Sequence, residues 1–492
     1  MSKYAIGLDF GTNSVRALLV DVASGEEIAG SAAEYEVIAD RDDDYCARQR
    51  PGDYIRGLHR VMEELRNGCS GNDVIGIGVD TTASTPMPLD RGGTPLESKD
   101  GFRNNKSAMA WLWKDHTAHR EAGDIVKLIS GGGFPYLHSY GGVYSPEWFW
   151  SKIRHCETEA PEVSAAAATW TELCDYIPAY LTGITDAAEL KRGSCGAGYK
   201  GMYNPAHGGF PPEEFFAKIS PRLAAVRKTL PQRVYAPGER IGTLTKELQE
   251  RWGLPGGIAV SAGIIDAHSG AIGCGIGPGS LVKIIGTSSC DMALLPEGGG
   301  ITAIEGISGV VKDGIIPGFY GIEAGQAAVG DVMNWYVQTL KQPGGTRTEE
   351  EIHDVLTAGA RKLRAGESGL LALDWHNGNR NVLMDPQLSG LIAGCTLQTG
   401  PEEIYRSLIE ATGFGARMIV DRLRGHGVPI DSIICSGGIA VKNDLFMQIY
   451  AGISTRPSGS PEPRRHRPWA RRFAPRWLPG APAGGTTGSP TR

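Results

Sequence analysis

The sequence has no Cys-x-x-Cys pair: its nine cysteines, 46, 69, 156, 174, 195, 274, 290, 395 and 435, are an odd and scattered set. That disfavours a disulfide framework, a zinc site or a thioredoxin-like motif, and reduced thiols are expected. No apolar run approaches the roughly 20 residues that span a bilayer. The opening MSKYAIGLDFGTNSV lacks the basic region, apolar stretch and small-residue cleavage site of a secretory leader, so a cytoplasmic location is expected. Basic residues are also scarce outside the last 39 positions. Residues 454–492 hold 8 of the 49 Lys and Arg and one acid, Glu462, which leaves 41 basic against 54 acidic residues in the rest. An acidic body argues against a broad nucleic-acid surface.

What is present is ordinary globular composition, 41% apolar and 21% charged over 492 residues, enough for two or three domains with cores of their own. The end of the chain differs. It carries 8 Pro in 39 residues and no apolar periodicity, so disorder is expected from about 454 onward.

Residues 4–10 read as a buried strand and 15–22 as a second, joined by Gly11-Thr12-Asn13-Ser14. The pattern returns at 281–295, with Gly286-Thr287-Ser288-Ser289 at its tip. One such hairpin is weak evidence, because Gly, Asn and Ser favour tight turns for local reasons. Two copies, one opening each half, suit a polyphosphate gripped by backbone N–H groups and short hydroxyls. Between and after them, strands are predicted at 74–79, 258–262 and 432–435. Helices are predicted at 107–129, 146–155, 171–181, 324–340, 350–364 and 401–424, with Gly-rich loops at 131–142 and 193–209, the latter holding Lys200; this is α/β organisation. The breaker cluster Leu254-Pro255-Gly256-Gly257 marks the expected boundary between residues 1–256 and 257–453.

Several further segments carry chemistry. Asp266 follows the strand at 258–264 and precedes a helical stretch, where an N-cap is the plain reading. Asp9 ends an apolar strand beside a phosphate-type tip. Trp113 sits before the polar run Lys114-Asp115-His116, and His116 and His119 lack the companions of a metal pair.

These residues resemble the FGGY family of carbohydrate kinases, through Leu8-Asp9-Phe10-Gly11-Thr12-Asn13-Ser14, Ile285-Gly286-Thr287-Ser288 and Ser436-Gly437-Gly438. A ketopentose-kinase branch is indicated by residues 78–85, by Leu112-Trp113-Lys114-Asp115-His116-Thr117, by Gly198-Tyr199-Lys200 and by Gly321-Ile322-Glu323-Ala324-Gly325-Gln326. The resemblance implies two actin-like, ribonuclease H-like domains around a central cleft, sugar held mainly by the first and ATP mainly by the second. It implies ATP-dependent phosphorylation of L-ribulose, with Asp266 as general base and Asp9 as a magnesium ligand. D-ribulose or xylulose is the alternative substrate, and an actin- or Hsp70-like ATPase without a sugar is the alternative class.

By the same resemblance Ala83, Trp113, Lys200, Asp266 and Glu323 contact the sugar. Gly11, Thr12, Asn13, Gly286 and Thr287 contact phosphate, and Gln326, Gly437, Gly438 and Asn443 the nucleoside. The partners implied are a ketopentose, ATP and Mg2+, without nucleic acid or membrane, and a homodimer is left open. The match runs from about residue 3 to Ala451. The Arg, Pro, Gly and Ala mixture that follows is what a GC-rich coding region gives when read out of frame, so a frameshift is expected there, with loss of stability and of ATP affinity.

Overall fold

The computed structural model describes residues 3–40, 43, 45–66, 73–341 and 346–454; the expectations for 455–492 lie outside these. The chain divides into two units, 3–272 with 294–322, and 273–293 with 323–454.

The first unit opens with β1 (Tyr4–Phe10) and β2 (Ser14–Asp21), antiparallel, followed by β3 (Glu27–Glu34). Alternation places Ile6, Leu8 and Phe10 in the core, as a half-buried strand requires. Helix α1 (Pro51–Arg66) leads to β4 (Val74–Thr81), which lies parallel to β1 on the side away from β2. Helix α2 (Leu173–Thr182) comes next, then β5 (Arg240–Thr243), β6 (Ala259–Ser261) and β7 (Ile264–Ile265) complete the sheet. The order is β5-β6-β4-β1-β2-β3, with β7 also paired to β4. Tyr54, Leu58 and Val61 of α1 and Leu173 and Ile177 of α2 pack on the sheet residues in one core. A second, aromatic core contains Trp111, Tyr144, Trp148, Trp150 and Trp170.

A second sheet, with its strands at 279–285 and 430–436 in the second unit, repeats the arrangement. β8 (Gly279–Ile285) and β9 (Ser289–Pro296) form a hairpin, β10 (Phe319–Ala324) flanks β9, and β11 (Ile430–Ser436) runs parallel to β8. The order β10-β9-β8-β11 matches β3-β2-β1-β4 strand for strand. Its core joins Ile285 to Val332 and Met333 of α4, Leu408 and Ile409 of α5, and Phe446 and Ile449 of α6. Here α3 denotes Asp266–Gly273, α4 Gly330–Leu340, α5 Pro401–Gly425 and α6 Asp444–Ser454.

Three sequence expectations change. The breaker cluster at 254–257 lies inside the first unit, because β6 and β7 pair with β4; the division falls at 272/273. The helix expected at 107–129 is a short turn, a strand Ala110–Trp111 paired with Ala47–Gln49, and a helix His119–Gly132. Pairing and the buried Arg48–Asp115 ion pair hold the intervening residues out of a helix. The helix expected from 324 starts at Gly330, since β10 runs to Ala324 and a Cβ on Gly325 would stand 2.0 Å from the Ser289 carbonyl. Among the described residues no helix is long and apolar enough to cross a membrane.

Candidate active site

At the first tip every carbonyl is engaged from behind. Gly11 O accepts from the Tyr35 hydroxyl at 2.6 Å, Thr12 O from Gln49 Nε2 at 2.7 Å and Asn13 O from the Tyr35 amide at 3.0 Å. Ser14 O accepts from the Gly11 amide at 3.0 Å and the Tyr35 hydroxyl at 3.0 Å. The acceptors of the turn are thus occupied, the Gly11 amide being spent on Ser14 O, and occupied carbonyls are what an anion site on backbone amides requires. The Thr12 hydroxyl in turn accepts from the Trp113 indole N–H at 3.0 Å. An expected phosphate contact and an expected sugar contact are therefore bonded to one another.

The second tip is built by other means to the same end. Gly286 O accepts from Gly330 N at 3.0 Å, Thr287 O from Val329 N at 2.7 Å and Asp331 N at 3.1 Å, and Ser288 O from Gly286 N at 2.9 Å. The first turn of α4 thus consumes its orphan amides on the hairpin. Gly286 and Thr287 are exposed, and a Cβ on Gly286 would approach nothing nearer than 4.0 Å. The loop Ser436-Gly437-Gly438 lies against this hairpin, because β11 pairs Ser436 with Ile284. Gly437 has φ 96°, and a Cβ there would sit 2.3 Å from the Ile285 carbonyl, so no other residue fits. Asn443 caps α6, its side-chain oxygen accepting from Phe446 N at 3.0 Å, so its NH2 end is what remains for a nucleotide.

Gln326 departs from its expected role. It is 4% exposed, and its NH2 donates to Asp374 at 2.7 Å and Thr412 O at 2.8 Å while its oxygen accepts from Lys283 at 3.1 Å. That amide has no capacity left for a nucleoside. It belongs to a buried network in which Lys283 also grips both oxygens of Asp291, at 2.7 and 2.8 Å, and Ser289 Oγ at 3.1 Å. Burial raises the Asp374 pKa, and the Gln326 bond opposes that shift.

In the first unit three carboxylates stand at the ends of neighbouring parallel strands. Asp9 pairs in register with Asp80, Asp80 with Ile264, and Asp266 follows Ile265 directly as the first residue of α3. Asp266 Oδ1 accepts from the amide of Ala267 at 2.6 Å, and Arg16 lies 3.4 Å from Asp9. Desolvation raises the pKa of Asp9, opposed by Arg16; desolvation and then the Asp9 charge raise Asp80 well above the carboxylate range. Asp80 is 8% exposed and its Oδ1 has no hydrogen-bond partner. Asp80 falls inside the segment 78–85 without a role of its own there; its signal is an acid at the penultimate position of a buried strand.

Lys200 is not in a loop. It ends the buried helix Ser194–Lys200, whose carbonyls accept from Tyr140 at Gly198 and from Tyr144 at Lys200, the latter at 2.5 Å. Its ammonium lies 5.4 Å from the Trp148 ring centre. Trp113 is on a loop rather than a helix, and Ala83 is half-buried in the segment after β4. Glu323 lies in β10 of the second unit, not at a helix start, so a helix dipole has no part in its setting.

Comparison with known proteins decides the family. Residues 4–273 match the N-terminal domain of the FGGY family of carbohydrate kinases and 281–462 its C-terminal domain. This chain belongs to the FGGY family of carbohydrate kinases. It is 41% identical to a ribulokinase of Geobacillus thermodenitrificans, covering 92% of this chain and 82% of that protein. A ribulokinase of Mycolicibacterium smegmatis is 39% identical over the same shares. The fold matches xylulose kinase from Rhodospirillum rubrum with TM-score 0.75 at 23% identity, over 92% of this chain and 85% of that one.

As an FGGY kinase the chain has the two actin-like domains of that fold, and ATP with Mg2+ is its phosphoryl donor. Membership sets aside the actin- or Hsp70-like ATPase without a sugar. The donor set fits the ion. Asp9 and Asp80, paired in register with Asp80 Oδ1 lacking a hydrogen-bond partner, offer the oxygen donors such an ion takes, and Mg2+ is commonly held by one or two carboxylates plus substrate phosphate and water.

Proposed function

We propose that this chain transfers the γ-phosphoryl group of ATP to the terminal hydroxyl of L-ribulose, giving L-ribulose 5-phosphate. The observation that carries the reading is the pair of hairpin tips whose carbonyls are all hydrogen-bonded within the protein, in a chain about 40% identical to ribulokinases along most of its length. The first unit would hold the ketopentose through Ala83, Trp113 and Lys200, with Glu323 as a further contact. The second would hold ATP at Gly286, Thr287, Gly437, Gly438 and Asn443. Thr12, Asn13 and Gly11 would take phosphate oxygens, and Asp9 with Asp80 would hold Mg2+, which neutralises charge on the transferring group.

Phosphoryl transfer asks for alignment and charge neutralisation more than for covalent help. Asp266 would orient the acceptor hydroxyl and take its proton. It suits the task because the α3 turn fixes its carboxylate through the Ala267 amide. ADP release measured with L-ribulose, D-ribulose and D-xylulose tests the reading. Sugar-dependent turnover highest in kcat/KM for L-ribulose is expected. A clear preference for either other ketopentose would replace the substrate, and no sugar-dependent turnover would overturn the function.

A further inference from the structure

Lys152 is 0% exposed, on the helix Phe149–Glu159. A lysine is almost never buried so completely unless every proton is used. Its Nζ donates to Ser84 O at 2.8 Å, Leu112 O at 2.9 Å and Trp111 O at 3.4 Å. These acceptors come from two separate segments, and each segment continues into an expected sugar contact: Ser84 follows Ala83, and Leu112 precedes Trp113. Glu172, 4% exposed at the end of the strand Thr169–Glu172, grips the first segment again. Its oxygens accept from Ser84 Oγ at 2.5 Å and from Thr85 N at 2.7 Å. Neither residue carries a signal in the sequence, Lys152 being one of several charges on a mixed helix and Glu172 the last residue of a short strand.

We propose that Lys152 and Glu172 are positioning residues for the ketopentose: together they fix the spacing between the Ala83 backbone and the Trp113 ring, and so set which sugar the pocket accepts. The proposal rests on the reading of Ala83 and Trp113 as sugar contacts. A pair that only stabilised the core would be indifferent to which segments it joined. This one spends its ammonium and carboxylate on Ser84, Thr85, Trp111 and Leu112, each within two residues of Ala83 or Trp113. Displacing a positioned group by about 1 Å is enough to cost on the order of 10²-fold in rate.

The test uses Ser84→Ala, Glu172→Gln and Lys152→Met, with Trp113→Ala as the control on the underlying reading. KM and kcat are measured for L-ribulose, D-ribulose and D-xylulose, with KM for ATP and Tm alongside. Ser84→Ala and Glu172→Gln are expected to raise KM for L-ribulose about tenfold and to narrow the discrimination among ketopentoses, with KM for ATP within about twofold of the parent. Should these two folded variants show a lower Tm with sugar KM and selectivity unchanged, the pair is structural and the proposal is overturned. They decide the matter even if Lys152→Met does not fold. If Trp113→Ala leaves sugar KM unchanged, the sugar-contact reading fails and the proposal falls with it, an outcome distinct from failure of the clamp alone.

Discussion

At the scale of single residues, position on the sheet does most of the chemical sorting. Asp266, Asp80 and Asp9 are brought together only because β7, β4 and β1 are neighbours, so the sequence shows each acid but not the cluster. Asp266→Asn is nearly isosteric and is expected to lower kcat by about 10²- to 10⁴-fold while leaving ATP binding intact. Steady-state kinetics with parallel nucleotide titration check it, and a rate within threefold of the parent would remove Asp266 as the base. Lys152 makes a different prediction. Burial lowers its pKa to about 7, partly offset by Glu172 and Glu147 and reinforced by Arg48 and Lys200. Between pH 7 and 10 the unfolded chain keeps a proton that the folded chain releases, so the stability cost of burying this group falls as pH rises. Urea unfolding of the parent and Lys152→Met at pH 7 and 9 should show the parent gaining relative to the variant. No change in the difference would mean that Lys152 does not titrate there.

At the scale of elements, the two hairpins were legible because strand alternation and turn residues are local signals. The proposed role of their tips as anion cradles is only half legible. The donors that occupy the tip carbonyls come from distant positions, Tyr35 and Gln49 at one tip and the first turn of α4 at the other. The segment 107–129 was misread for the same reason: its helical periodicity is overridden by pairing of Ala110–Trp111 with Ala47–Gln49. Lys200 read as a loop residue because glycines surround it, yet aromatic packing makes that stretch a buried helix. Gly330 offers a test of the second tip. A Cβ there would stand 2.7 Å from the Gly286 carbonyl, forcing the hairpin away from α4. Gly330→Ala is expected to raise KM for ATP about tenfold, the scale of a 1.4 kcal/mol overpacking cost, with sugar KM unaltered. An unchanged KM for ATP would show that α4 does not set the tip.

At the scale of the whole molecule, one strand order occurs twice, and the two copies are loaded differently. The first carries the three carboxylates and the aromatic core; the second carries the Gly437-Gly438 turn and the buried Lys283 network. Amide exchange should register both. L-ribulose with a non-hydrolysable ATP analogue is expected to protect residues 11–14 and 286–288 more than the analogue alone; equal protection would show that sugar does not tighten the nucleotide site. One bond described above gives an optical consequence. The Trp113 indole N–H is committed to Thr12, and indole emission shifts with the polarity and hydrogen bonding of that group. Phosphate arriving at Thr12 or sugar arriving at the ring would alter the same chromophore. Emission lost in Trp113→Phe would therefore report both substrates through one dye that the protein already contains.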